Sequence, residues 1–346
     1  MEELQLATRN HGMPLEALRY PVTPVGLHYL LIHYDIPVVD ASTWRLRVDG
    51  RVADPLELRL ADLRAMPATT RRLTMECAGN GRALLEPRPP SQPWLVEAVG
   101  TGEWTGVALD HILDLVGVTA DAIEILFSGA DRGTEGGVEQ VYQRSVTIET
   151  ATSSGVLLAY ELNGAPLPPQ HGFPLRVMVP GWYGMTNVKW LTHISALDTP
   201  FAGYQQTAAY RLRQSEAELG EPVTRMLPRS LMTPPGIPDF VTRLRTVRAG
   251  DCELTGRAWS GYGAIATVEV STDGAQSWGT AEVDPPPGVG AWQGWRFRWD
   301  APPGDHELCC RATDETGKTQ PLQPSWNWGG YAVNPVHRLS VHVADS

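Results

Sequence analysis

The chain has 346 residues, enough for two domains with hydrophobic cores, and 42% hydrophobic with 19% charged residues is a composition typical of a globular protein. Its net charge of −11 argues against binding to nucleic acid or to an anionic membrane surface. The sequence contains no apolar run long enough to span a membrane, and its amino terminus lacks the basic and apolar regions of a secretion signal. We therefore predict a cytoplasmic protein, or a periplasmic one if a leader peptide has been removed.

The first half of the chain predicts a mixture of strands and short helices. Residues 1–24 are expected to form an irregular arm, because Pro14, Pro21 and Pro24 leave little room for a helix. The pattern of apolar residues predicts helices at 60–65 and 107–116, strands at 44–50, 123–127, 155–161, 175–179 and 189–197, and a loop at 129–133. A glycine-rich loop between alternating strands and helices is missing, which excludes a Rossmann domain.

The composition of the sequence changes at Glu221, after which prolines are frequent. Five prolines mark a linker zone: Pro222, Pro228, Pro234, Pro235 and Pro238. After it, turn signals separate segments of strand character at 252–260, 266–271, 295–299, 306–313 and 337–343. Short strands at this spacing predict an antiparallel, immunoglobulin-like sandwich of about 110 residues. We predict two domains, 1–220 and 221–346.

Four widely spaced cysteines carry no paired motif, so a zinc ribbon, a thioredoxin-type redox pair and covalently attached haem are not indicated. Cys77 is distinctive because a Gly-Asn-Gly turn and then Arg82 follow it. A nearby cation lowers the pKa of a thiol, and a thiolate is the form that binds a soft metal or attacks an electrophile. From these residues alone, a buried structural cysteine is an equally good interpretation.

Several motifs occur in order along the chain, and together they identify a resemblance. They lie at 77–82 (Cys-Ala-Gly-Asn-Gly-Arg), 171–176 (His-Gly-Phe-Pro-Leu-Arg), 179–184, 188–191, 256–261 and 268–274. By these motifs the chain resembles the sulfite oxidase family of molybdenum enzymes from residue 9 to about residue 343. The resemblance implies an α+β molybdopterin-binding domain followed by an immunoglobulin-like β-sandwich dimerisation domain. It also implies a homodimer with a molybdenum–molybdopterin cofactor and no haem.

The resemblance assigns roles to individual residues. Cys77 would be the only protein ligand to molybdenum, and Arg82, Trp104 and Tyr210 would surround the reacting substrate. The residues matching cofactor contacts are Asn10, His33, Asp131, His171, Arg176, Asn187, Val188 and Lys189. Guanidinium and ammonium groups suit the phosphate of such a cofactor.

Two arginines of the family's substrate pocket are replaced here, by Leu31 and Gly329. Each lost charge-assisted hydrogen bond is worth roughly 1.5–3 kcal/mol. Weaker binding of sulfite, or a less charged substrate, is therefore expected as an alternative. Arg9 and His11 are candidates to restore the lost charge.

The function that the resemblance implies is oxygen-atom transfer, most simply the oxidation of sulfite, a small anion, to sulfate. Electrons would pass to an external acceptor, either a cytochrome or oxygen. The alternatives within enzymes are a reductase of an S-oxide or N-oxide and an oxidase of another small substrate. Outside enzymes, the alternative is a non-catalytic binding protein.

Overall fold

A computed structural model describes residues 2–153 and 155–345, in which two regions of different architecture follow one another. The first combines two sheets with short helices. One sheet has the strand order Leu56–Leu58, Leu46–Gly50, Leu191–Leu197, Glu124–Glu135 and Val138–Thr147. The other has the order Thr69–Glu76, Val99–Ala108, Leu157–Leu162 and Ala165–Pro166, with Arg176–Met178 also paired to Leu157–Leu162. The α-helices are Glu2–Arg9, Leu60–Ala65, Leu109–Val116, Ile148–Ser153 and Tyr204–Thr207.

The helix Leu109–Val116 illustrates why these elements form. Leu109, Ile112, Leu113 and Val116 recur at helical spacing and are buried in the main core of this region. Gly117 ends the helix with a φ of +61°, a left-handed conformation that glycine adopts without steric cost. The helix begins two residues later than predicted because residues 107 and 108 still belong to the strand Val99–Ala108.

Two further predictions for this region need correction. The amino-terminal arm is not wholly irregular: Glu2–Arg9 is an α-helix and Leu15–Arg19 a 3-10 helix, because the first proline comes only at position 14. The loop predicted at 129–133 is wrong, since these residues lie within the strand Glu124–Glu135. A shift in register between Ser128 and Arg132 lets that strand continue through the glycines.

The second region is a sandwich of two sheets. One has the order Arg229–Met232, Gly250–Trp259, Gln293–Ala301 and Glu282–Val283; the other Ile237–Pro238, Arg245–Arg248, His337–Ala344, Gly304–Asp314, Ile265–Ser271 and Gly279–Thr280. The predicted α+β class with a following β-sandwich is confirmed. One pairing, Arg245–Arg248 with His337–Ala344, is parallel, so the sandwich is not wholly antiparallel as predicted. The predicted linker zone contributes the strand Arg229–Met232, and Arg211–Leu212 pairs with Glu221–Pro222 ahead of it.

A buried apolar cluster joins the two regions. Met13 and Leu18 of the arm, Tyr183 of the first region, and Trp259 and Trp292 of the sandwich belong to it. The cluster also contains Ala78, next to Cys77, so the sandwich packs against the loop that carries the thiol. Across the described residues, none of the helices is long and apolar enough to cross a membrane.

Candidate active site

Cys77 lies directly after the strand Thr69–Glu76, in a loop whose backbone is tightly held. Its N–H donates to the carbonyl of Ala98 at 2.9 Å, and the Asn80 amide side chain bonds Val96 and Ala98. At Gly81, with φ +93°, a Cβ atom would lie 2.4 Å from the carbonyl oxygen of Val333. The glycine is therefore required both by its conformation and by close packing.

Glu76, the residue before the thiol, anchors this loop to the sandwich. Its side chain is fully buried, and Trp259 Nε1 donates to its Oε2 at 2.9 Å. Arg229 Nε lies 2.7 Å from Glu76 Oε1. The Arg229 Nε–H does not point at that oxygen, so the pair is an ion contact rather than a linear hydrogen bond. Two sandwich side chains thus fix the residue next to Cys77.

The Cys77 thiol faces a cavity with two connected parts. The inner chamber is the part bounded by Cys77, Asp131, His171, Arg176, Asn187 and Lys189. The outer chamber is the part bounded by Cys77, Arg82, Trp94, Glu135, Tyr210 and Tyr331. Leu31, His33 and Tyr210 border both, so the thiol lies at the junction.

The ionisation state of Cys77 corrects one expectation from the sequence. Burial raises the pKa of the Cys77 thiol, although Arg82 acts in the opposite direction. The neighbouring guanidinium therefore does not by itself produce a thiolate. A bound metal cation would do so, because coordination deprotonates a thiol outright.

Two cations line the inner chamber, Arg176 in a buried position and Lys189 in a half-buried one. Arg176 donates from Nη1 to the His171 carbonyl at 3.1 Å and from Nη2 to the Asn187 carbonyl at 3.0 Å. Lys189 Nζ donates to the carbonyls of Leu31 at 2.8 Å and Gln170 at 3.3 Å. Burial lowers the pKa of Arg176 to about 10 and that of Lys189 to about 7. Within the described residues neither cation has a carboxylate within salt-bridge distance, which leaves positive charge available to an anion.

Several polar atoms around the inner chamber lack partners among the described residues. They are Arg176 Nε, Asn187 Nδ2 and Asp131 Oδ1, and all three are buried. Burial also raises the pKa of Asp131 to about 6. A buried donor or acceptor without a partner costs about 1–3 kcal/mol, so such groups indicate a ligand that satisfies them. Cations, unpaired donors and an unpaired carboxyl oxygen beside a thiol fit an anionic, polar, metal-carrying cofactor.

The structure brings most of the predicted site residues to the cavity, but two of them do not line it. Val188 is buried, and its backbone carbonyl accepts a hydrogen bond from Val177 N at 2.8 Å. Trp104 is fully buried behind Arg176, whose guanidinium carbon lies 4.9 Å from its ring centroid. Trp104 therefore supports a cation of the inner chamber, which differs from the expected place beside the substrate.

The amino-terminal arm borders the outer chamber. Asn10 lines it, and its Oδ1 accepts from Ile32 N at 2.7 Å, so the amide holds the segment that precedes His33. Of the two candidates to restore a lost positive charge, Arg9 borders the chamber and His11 does not.

Tyr331 and Glu135 are among the residues of the outer chamber that the sequence does not predict. The Tyr331 ring lies 5.2 Å from the Tyr210 ring and 5.2 Å from the Arg82 guanidinium carbon. A Cβ atom at Gly329 would lie 2.4 Å from Tyr331 Cε2, so the ring fills the space beside the glycine. Arg82 donates from Nε to the Gly329 carbonyl at 3.1 Å and from Nη1 to the Gln92 carbonyl at 2.9 Å.

Comparison with known proteins agrees with this geometry. The family described as "Oxidoreductase molybdopterin binding domain" matches residues 33–205, and "Mo-co oxidoreductase dimerisation domain" matches residues 229–344. The chain is 32% identical to mitochondrial sulfite oxidase of Homo sapiens over 93% of its own length, and it spans 62% of that protein. It is 31% identical to sulfite oxidase of Arabidopsis thaliana, covering 94% of the chain and 89% of that protein.

More distant matches widen the range of activities among similar proteins. A nitrate reductase [NADH] of Ulva prolifera is 30% identical over 93% of the chain, which covers 40% of that protein. The sulfane dehydrogenase SoxCD of Paracoccus pantotrophus superposes with a TM-score of 0.82 at 26% identity, over 97% of the chain and 86% of the SoxCD chain. The names of these similar proteins thus refer to different substrates: sulfite, nitrate and sulfane sulfur.

Proposed function

The chain belongs to the sulfite oxidase family of molybdenum oxidoreductases, and on that basis we propose that it catalyses oxygen-atom transfer on a small molecule bound beside Cys77. The observation that carries this proposal is the position of the thiol, at the junction of a cation-lined inner chamber and an outer chamber that borders Arg82 and Tyr210. A non-catalytic binding protein would not require a thiol between two such chambers.

Molybdopterin would be held by residues of the inner chamber, with Cys77 as the protein ligand to the metal. Arg176 and Lys189 supply positive charge for its phosphate, and Asp131 and Asn187 offer unpaired polar atoms for its ring system. Burial lowers the pKa of His171 to about 2, so its imidazole is neutral and offers a hydrogen bond without adding charge. When bound, the cofactor supplies the two-electron redox chemistry.

Residues of the outer chamber would bind and orient the substrate. Arg82 has two of its three nitrogens engaged by carbonyls, which leaves Nη2 as a donor toward a substrate oxygen. Burial raises the pKa of Tyr210 well above its ordinary value, so its hydroxyl remains a proton donor. The rings of Tyr210 and Tyr331, 5.2 Å apart, restrict access of water to the thiol.

The first candidate reaction is the oxidation of sulfite to sulfate, with electrons passed to a cytochrome or to oxygen. It is supported by the similarity to sulfite oxidases at 31–32% identity. The second candidate is reduction of an uncharged S-oxide or N-oxide. Leu31 and Gly329 favour it, because an apolar wall and a tyrosine ring occupy the positions of two expected guanidiniums.

The experiment is a steady-state assay of cofactor-loaded protein in both directions, with sulfite and an artificial acceptor, and with S-oxides or N-oxides and a reduced dye. Arg82→Met is expected to raise KM about tenfold or more for whichever substrate turns over, because one charge-assisted hydrogen bond is lost. Arg59→Met, on a remote surface pair with Asp62, is the matched control. Loaded protein that transfers oxygen in neither direction would overturn the proposal.

The sandwich supports a second proposal, a homodimer, because residues 229–344 match a dimerisation domain.

We also propose that the catalytic domain ends near residue 220. The pairing of Arg211–Leu212 with Glu221–Pro222 straddles that point and joins the two regions.

A further inference from the structure

The outer chamber offers little positive charge for an anion. Nε and Nη1 of Arg82 donate to backbone carbonyls, which leaves one nitrogen free among the described contacts. Leu31 contributes an apolar wall, and Tyr331 fills the space beside Gly329. Arg9 borders the chamber only from an exposed position on the arm.

A carboxylate, Glu135, lines the same chamber. Its Oε2 accepts hydrogen bonds from His33 Nε2 at 3.0 Å, the Tyr34 hydroxyl at 3.0 Å and Gln205 Nε2 at 2.8 Å. Its Oε1 accepts no hydrogen bond from the described residues. Glu135 also lines a neighbouring surface groove, which shares Ser91, Tyr210 and Tyr331 with the outer chamber.

The hydrogen bonds make Glu135 a fixed negative charge. Burial opposes its ionisation, but the donors His33, Gln205 and Tyr34 outweigh that effect and hold the pKa of the carboxyl below its ordinary value. Glu135 is half-buried, with about a third of its side chain exposed, so solvent screens its field only in part. A dianion in the chamber is repelled by this charge, whereas a hydrogen-bond donor finds a free acceptor in Oε1.

We propose that Glu135 is a specificity-determining residue that excludes divalent oxoanions from the outer chamber and accepts a hydrogen bond from a substrate without negative charge. The inference rests on the proposed function, because it takes this chamber to be the substrate site. It narrows the substrate class to uncharged or cationic polar molecules and therefore favours the S-oxide or N-oxide candidate over sulfite. An N–H or O–H group elsewhere on such a substrate would donate to Oε1.

The test compares two ligands of similar shape, sulfate and uncharged methanesulfonamide, by isothermal titration into cofactor-loaded protein. The wild type is expected to bind methanesulfonamide at least tenfold more tightly than sulfate. Glu135→Gln, which keeps an acceptor for the three donors, should bind sulfate about tenfold more tightly than the wild type, a change of about 1.4 kcal/mol. Glu139→Gln removes the same charge from an exposed side chain paired with Arg132, and should leave both affinities within about twofold of the wild type.

Leu31→Arg provides a second route should the first variant not fold, and it should also tighten sulfate binding about tenfold. The proposal is overturned if the wild type prefers sulfate or binds neither ligand. It is also overturned if Glu135→Gln, or Leu31→Arg in its place, leaves the affinity for sulfate unchanged, or if Glu139→Gln shifts it equally. None of these titrations depends on turnover. A loaded protein that shows the expected affinities but transfers no oxygen would therefore contradict the proposed function alone.

Discussion

The contact between Arg229 and Glu76 allows a prediction in which a sandwich residue controls the thiol loop. Both side chains are at most 1% exposed, and Nε lies 2.7 Å from Oε1. At an effective dielectric constant of about 20, two unit charges at this distance attract by about 6 kcal/mol. Arg229→Met removes that attraction, but Trp259 and Asn80 still donate to the Glu76 carboxylate. The expected loss therefore lies within the roughly 3–5 kcal/mol typical of a broken buried pair.

The assay is guanidinium unfolding followed by tryptophan fluorescence, together with the molybdenum-to-protein ratio of each purified variant. Arg229→Met should lower the free energy of unfolding by about 3 kcal/mol or more and reduce metal loading, because Glu76 adjoins Cys77. Glu76→Gln combined with Arg229→Met should lose less than Arg229→Met alone, since no uncompensated charge stays buried. Arg296→Met, in an exposed pair with Glu282, is the control and should change neither quantity. Equal effects of Arg229→Met and Arg296→Met would show that the buried pair does not stabilise the loop of Cys77.

Three further predictions concern the cofactor, acid stability and assembly. Arg176→Met should lower pterin content, measured by fluorescence of the extracted pterin, while circular dichroism is unchanged; equal pterin content would contradict the assignment. Burial lowers the pKa values of His28, His171 and His337 to about 4, 2 and 3, so below pH 6.5 the unfolded state binds more protons than the fold. Stability should fall as the pH drops from 6.5 to about 4, by up to about 4 kcal/mol per pH unit. His337→Asn should remove about a third of that slope in unfolding titrations, and an unchanged slope would refute the assignment. Light scattering should give twice the 37.8 kDa mass of one chain, and a single-chain mass would contradict the dimer.

The parts of the fold that were predictable from the sequence are those in which burial follows a local period. The helix Leu60–Ala65 and the strands of the sandwich core alternate or recur regularly, so their apolar pattern indicates their structure. The strand Arg229–Met232 breaks this rule, because an arginine and a serine are buried in it by partners far along the chain. The prolines that flank it and its own polar residues resemble a linker, and only tertiary contacts make it a strand.

The same distinction, between a local sequence pattern and contacts with distant residues, applies to the candidate active site. Cys77, His171, Arg176 and Lys189 lie in or beside continuous motifs, so the sequence predicts them, and all four line the inner chamber. Glu135 reaches the chamber from the end of a long strand, and the contacts that hold it come from residues about 70 and 100 positions away. No local pattern identifies it.

In the proposed cofactor site the Cys77 sulfur binds molybdenum. X-ray absorption at the molybdenum edge, compared between the wild type and Cys77→Ser, tests it most directly. The metal in the variant, where any is retained, is expected to have one sulfur neighbour fewer, and circular dichroism should show an unchanged fold. Identical sulfur coordination in the two proteins, or wild-type protein that binds no molybdenum when expressed with a full supply of the cofactor, would contradict it.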